Sequence, residues 1–271
     1  MNKQFLESEI KKKQSILCVG LDTDISKIPP HLHKYDNPIE VFNKEIIDAT
    51  ADICVAYKPN IAFYEAHGIK GWEALDKTLQ HIPKEIFTIA DAKRGDIGNT
   101  STMYAKAFFE QMNFNSITVA PYMGKDSVSP FLQFDGKWAI VLGLTSNVGS
   151  ADFQYISNKE DLPLYKEVIR KAATWGTEQN MMFVVGATHP SELKEIREII
   201  PNHFLLIPGI GAQGGDLEGT LKNGLINGGG LLINSARSII YASKEKGFAQ
   251  KAREAALEFN VQILSFLKNF I

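Results

Sequence analysis

The stretch "IFTIADAKRGDIGNT", residues 86–100, decides how the chain is organised. It opens as an apolar run of strand length, turns charged at Asp91, Lys93, Arg94 and Asp96, and passes through Gly95 and Gly98 into a segment with helical spacing. In an extended Asp91-Ala92-Lys93 the first and third side chains point to the same side of the strand. A buried strand with a charged carboxyl end and a following helix is the repeating unit of a parallel α/β sheet. In a barrel of such units, catalytic groups collect at the carboxyl ends of the strands.

The same unit recurs on either side. Strand-like runs are predicted at 16–22, 54–59, 86–93, 116–121, 138–145, 181–188, 203–209 and 230–237. Helical spacing is predicted at 39–52, 69–80, 97–112, 163–178, 190–200 and 247–268, with shorter pieces near 126–134 and 216–223. In "HPSELKEIREII" Pro190 stands near a helix start, and Leu193, Ile196 and Ile200 lie along one apolar face. No low-complexity linker interrupts the alternation. The expected fold is therefore α/β, a single (β/α)8 TIM barrel over residues 1–271, with an amino-terminal extension at about 1–14. The longest irregular interval, 145–162, follows the fifth strand and is expected to cover the active site.

Composition narrows the function. The 271 residues are 44% apolar with a formal net charge of -2, and the basic run Lys11-Lys12-Lys13 does not extend into a stripe, so no nucleic-acid partner is expected. Cys18 and Cys54 sit in apolar runs as free buried thiols. The amino end interleaves charges without the apolar core of a secretory signal, and "WAIVLGL" is far too short to span a bilayer. A cytoplasmic protein with no membrane partner is expected. The six histidines are scattered, without the convergence that zinc requires, and Trp72, Trp138 and Trp175 read as packing residues.

Other strand ends supply matching chemistry. Asp22 ends the first strand, Lys58 the second, and Thr145-Ser146-Asn147 follows the fifth, so all can converge with Asp91 and Lys93. Asp96 lies just beyond the third strand, where it can meet that pair or face another subunit. After the seventh strand "IPGIGAQGGD" offers backbone donors and Gln213; after the eighth, "NSARS" offers Arg237, whose guanidinium suits phosphate oxygens. Paired loops after the last two strands are a common phosphate site in barrels.

At these residues the sequence resembles the orotidine 5'-phosphate decarboxylase family. The resemblance runs through "GLD" at 20–22, "YKP" at 57–59, "DAKRGDIGNT" at 91–100, "TSN" at 145–147, "PGIGAQGGD" at 208–216 and "ARS" at 236–238, and the "DAKRGDIG" form resembles the longer bacterial subgroup, type 2. It implies a catalytic set of Asp91, Lys93, Asp96 and Lys58. It also implies that Asp22 and Thr100 contact ribose, either Thr145 or Ser146 contacts the pyrimidine, and Gln213 and Arg237 hold phosphate. The substrate and product would be orotidine and uridine 5'-phosphates, within pyrimidine biosynthesis. The enzyme would be a homodimer with Asp96 and Thr100 crossing the interface, and it would use no metal or organic cofactor. Three other readings compete: a magnesium-dependent sister lyase acting on sugar phosphates, an aldolase forming an imine at Lys58 or Lys93, and a phosphate-sensing barrel without turnover.

Overall fold

The computed structural model describes residues 1–188, 190–210 and 215–271. Eight strands, β1 (Leu17–Leu21), β2 (Ala56–Pro59), β3 (Phe87–Arg94), β4 (Ser116–Val119), β5 (Trp138–Leu144), β6 (Met181–Val185), β7 (Leu205–Ile207) and β8 (Leu231–Ser235), close into a barrel in chain order. Every neighbouring pair is parallel, and β8 returns to β1 through Leu17–Ile233, Cys18–Asn234 and Val19–Ser235. The expected TIM barrel is thus the observed one. Its strands are apolar almost throughout because both faces are covered, one by the barrel interior and the other by helices.

The helices are α1 (Lys3–Lys13), α2 (Pro38–Thr50), α3 (Ile61–Glu65), α4 (Gly68–His81), α5 (Gly98–Lys106), α6 (Lys125–Val128), α7 (Leu164–Ala172), α8 (Pro190–Ile199), α9 (Leu217–Gly224), α10 (Arg237–Ile240) and α11 (Phe248–Leu267). Some predicted helices are cut short. The segment 126–134 divides into α6 and a 3-10 turn, Ser129–Gln133, at Pro130, which has no N–H to donate. The segment 97–112 is α-helical only to Lys106 and widens into a π turn over Ala107–Gln111. β7 ends early because Pro208 cannot extend the ladder and Gly209 takes φ +100°.

The amino-terminal extension is a helix that closes the bottom of the barrel. Leu6 and Ile10, one turn apart on α1, are fully buried in the main core. The chain's first residue reinforces this: the Met1 amino group donates to Gly136 O, and Trp138 Nε1 donates to Met1 O, both at 2.8 Å. Lys3 Nζ reaches Asn202 O at 3.0 Å. These partners all lie at the amino-terminal ends of strands, so α1 ties the floor together and leaves the opposite mouth open. Nearby, buried Arg197 donates to the carbonyls of Gly224, Gly230, Ile200 and His203, joining the entries to β7 and β8. Burial lowers its guanidinium to about 9. Burial also lowers His203 to about 4, consistent with a neutral ring packed edge-on against Phe183.

A second core layer sits between α2, α11 and the first two strands. Phe42 stacks on Phe248 and Tyr241, with centroids 5.1 Å and 5.9 Å apart, over Leu17, Val19 and Tyr57. The helical ring is therefore closed where the chain ends, which fixes β1 and β8 and the groups at their tips. Among the described residues no helix is long and apolar enough to cross a membrane.

Candidate active site

Four charges meet at the open mouth. Lys58, near the end of β2, is only 3% exposed. Its Nζ donates to Asp91 Oδ2 at 2.8 Å and lies 3.8 Å from Asp22 Oδ1. Lys93 Nζ donates to the other oxygen of the same carboxylate, Asp91 Oδ1, at 2.7 Å. The order Asp22, Lys58, Asp91, Lys93 alternates in sign, which makes burial of these groups tolerable.

The protonation of Asp91 and Lys58 follows from their neighbours. Burial opposes ionisation of Asp91, but the Lys58 and Lys93 ammoniums outweigh it and hold the carboxyl well below the usual range. Burial likewise opposes the Lys58 ammonium, and Asp91 with Asp22 reverses the balance, holding its proton more tightly than an ordinary lysine does. Cys18 and Cys54 are buried free thiols pushed upward by desolvation, Cys54 to about 11. They fit their reading as packing groups.

The backbone that carries Asp91 and Lys93 departs from the extended expectation. The β3–β4 register runs Ala90–Ile117 and then Arg94–Val119, so residues 91–93 of β3 lie opposite Thr118 alone. This bulge places Lys93 at φ +48°, a left-handed conformation that costs an ordinary residue about 1–2 kcal/mol. Thr118 stabilises it from β4: its Oγ1 accepts the Lys93 N–H at 2.9 Å and donates to Asp91 Oδ1 at 3.1 Å. Asp91 and Lys93 therefore meet through a bulge rather than by strand alternation. Arg94 turns away, pairing with Glu65 and lying over the Tyr104 and Phe108 rings at 5.5 and 5.6 Å.

Two connected compartments open beside the array. One, of about 230 Å³, is lined by Lys58, Asp91, Lys93, the 145–147 turn, Leu142, Val184, Leu206 and Pro208. The other, of about 150 Å³, includes Asp22, Gly209, Asn234, Arg237 and Ser238. Both touch Lys58, Asp91 and Pro208, so the charges sit at the junction. Arg237 is exposed at the start of α10 and faces the second compartment. Gln213 lies outside the described residues.

Asp96 and Thr100 stand apart from this junction. The Asp96 Oδ1 accepts the N–H of Ile97 at 2.7 Å, and among the described residues its carboxylate forms no ion pair. Thr100 is exposed in the first turn of α5. The sequence reading missed Thr118, Asn60 and Asn234. Thr118 was visible as a polar side chain alternating with Ile117 and Val119 in "SITV", on the same strand face as Ser116. Asn60 forms a parallel bridge with Asp91, and Asn234 lines the second compartment opposite Cys18. Among the described residues no group of three or more His, Cys, Asp or Glu side chains is placed to hold a metal ion.

Residues 15–252 match the Orotidine 5'-phosphate decarboxylase / HUMPS family. The chain belongs to that family. Over 271 residues it is 56% identical to a protein of Bacteroides fragilis named orotidine 5'-phosphate decarboxylase, covering 99% of both chains. A Flavobacterium johnsoniae protein of the same name is 57% identical over 270 residues, covering 98% of each. The solved structure of Leishmania donovani OMP decarboxylase superposes with TM-score 0.86 at 36% identity, covering 99% of this chain and 100% of that one. Membership extends across the whole barrel, and the chain is an enzyme of the carboxy-lyase class.

Proposed function

We propose that this chain removes CO2 from orotidine 5'-phosphate to give uridine 5'-phosphate, with Lys93 as the group that stabilises and then protonates the pyrimidine C6. The observation that carries this reading is the position of the Lys58–Asp91–Lys93 array at the junction of two compartments. In the substrate, the carboxylated C6 is bonded to N1, and N1 bears the ribose. A nucleotide with its base in the first compartment and its ribose phosphate in the second brings C6 to that junction.

The chemistry then balances with this chain's own residues. The C6–carboxylate bond breaks, its electron pair stays on C6, and CO2 leaves. The Lys93 ammonium opposes the charge developing on C6, transfers a proton to it, and regains one from solvent. Asp91, kept ionised by two ammoniums, stands against the substrate carboxylate and favours its departure as a neutral molecule. Asp22 and, from the second subunit of a homodimer, Thr100 receive the ribose hydroxyls, and Gln213 and Arg237 hold the phosphate. Thr145 or Ser146 contacts the pyrimidine from the 145–147 turn, where the Thr145 N–H donates to Gln154 and its hydroxyl to Asn147. Residues 1–271 act as one barrel domain with the 145–162 segment as its cover. The product enters pyrimidine biosynthesis in the cytoplasm, with no metal or organic cofactor in the reaction.

An ultraviolet assay of orotidine 5'-phosphate consumption, with and without a chelator, tests this reading. Equal turnover in both is expected. Metal-dependent turnover of a sugar phosphate, with none of the nucleotide, would replace this reading with the sister lyase.

Arg237 also contributes to rate. Phosphate is remote from C6, and holding it orients the base so that binding energy appears in the transition state. Arg237→Ala is expected to lower kcat/KM for the nucleotide about a hundredfold or more, while leaving orotidine, which lacks phosphate, within about twofold. Equal losses on both substrates would reject the phosphate assignment.

A further inference from the structure

The 145–147 turn, on which base recognition rests in the reading above, is held from behind by a residue outside the nucleotide compartments. The Thr145 N–H donates to Gln154 Oε1 at 2.8 Å, and Gln154 Nε2 donates to Thr145 Oγ1 at 2.8 Å. One carboxamide thus closes a two-point clasp on one residue. The Thr145 hydroxyl donates in turn to Asn147 Oδ1 at 2.6 Å, so the clasp extends through the whole turn. Gln154 is itself anchored: its N–H donates to Ser150 O at 2.8 Å, and its carbonyl accepts from the N–H of Tyr165, buried at the start of α7, at 3.0 Å.

The clasp lies in a partition. On the far side of the turn is an apolar cavity of about 550 Å³ lined by Gln154 with Phe153, Leu164, Tyr165 and Tyr122 among others. Leu142 and Thr145 border both this cavity and the compartment holding Lys58, Asp91 and Lys93, whereas Gln154 borders only the apolar one. On the β6 side the turn rests against Gly186, where a Cβ would come within 2.8 Å of both Ser146 N and Cβ. The turn is set by close contact on one side and by a hydrogen-bonded amide on another.

We propose that Gln154 is a positioning residue for pyrimidine recognition: it sets the Thr145 backbone and thereby the place of the 145–147 turn against the base, without touching the nucleotide. A side chain acting this way affects ligands that carry a base and spares those that do not. This inference rests on the nucleotide reading, and wild-type turnover of orotidine 5'-phosphate tests that reading separately.

The experiment compares binding of uridine 5'-phosphate with binding of ribose 5-phosphate, by calorimetry, in wild type, Gln154→Ala and Gln154→Met. Methionine keeps the length of the side chain and removes both hydrogen bonds, so it supplies the readout if the alanine variant does not fold. The expected result is a rise of about tenfold in Kd for uridine 5'-phosphate, with ribose 5-phosphate within about twofold of wild type. Gln154→Glu, which keeps the acceptor for the Thr145 N–H, is expected to fall between. Parallel weakening of both ligands indicates general loosening of the mouth and overturns the proposal. So does unchanged binding of the nucleotide.

Discussion

Lys93→Ala is expected to lower decarboxylation of orotidine 5'-phosphate by about 10⁴-fold or more while leaving the protein folded. The size follows from the two tasks assigned to one ammonium. Opposing charge at a developing anion in a water-poor site is worth roughly 10²–10³ in rate. Proton donation adds roughly 10²–10⁴. The retained fold follows from geometry. The Lys93 side chain is half exposed, unlike that of Lys58, and Asp91 keeps its bonds to Lys58 and Thr118 when the Lys93 ammonium is removed. Alanine accepts the left-handed φ at position 93 at about the cost lysine does. Unaltered turnover in the variant would remove Lys93 from the mechanism. A large drop in melting temperature would mean that the ammonium serves the fold first.

This separation of roles would be harder to obtain at Lys58. Its ammonium is buried, and its removal leaves Asp91 and Asp22 facing each other across a desolvated gap. Breaking a buried pair by deleting one partner costs about 3–5 kcal/mol. The exposed member of the array is therefore the better reporter of chemistry, and the buried member the better reporter of preorganisation.

Much of this architecture was legible because it follows from periodicity. Eight short apolar runs separated by amphipathic segments leave few arrangements other than a closed parallel barrel, and strand ends locate the mouth. Asp22, Lys58, Asp91 and Lys93 were readable as charges at the ends of runs otherwise buried on both faces. The bulge at 91–93 was not readable, because alternation rules describe regular strands and this site is made by an irregular one. The roles of Thr118 and Gln154 were hidden for another reason. Each acts through hydrogen bonds to a residue far away or across a turn, and such bonds leave no spacing in the sequence. Helix α1 carried a signal in Leu6 and Ile10 at one-turn spacing, but the interleaved charges around them left residues 1–14 read only as an amino-terminal extension.

Asp96 and Thr100 bring the last expectation, because neither reaches the junction within one chain. Around them α5 and the loop before α6 expose Ile97 at 56%, Met103 at 50%, Tyr122 at 95% and Met123 at 46%. Apolar side chains so exposed beside Asp96 and Thr100 suit a two-fold interface, where a patch meets its own copy. If Asp96 completes the partner's site, mixing Lys93→Ala and Asp96→Ala subunits restores activity that neither has alone. In the mixed dimer one site receives both defects and the other receives none. Random exchange at equal concentrations makes about half the dimers mixed, so about a quarter of the wild-type sites should return. If Asp96 instead serves its own chain, every site in the mixed dimer keeps one defect. Activity then stays at the level of the parents however complete the exchange, which mass spectrometry of differently tagged subunits would establish independently.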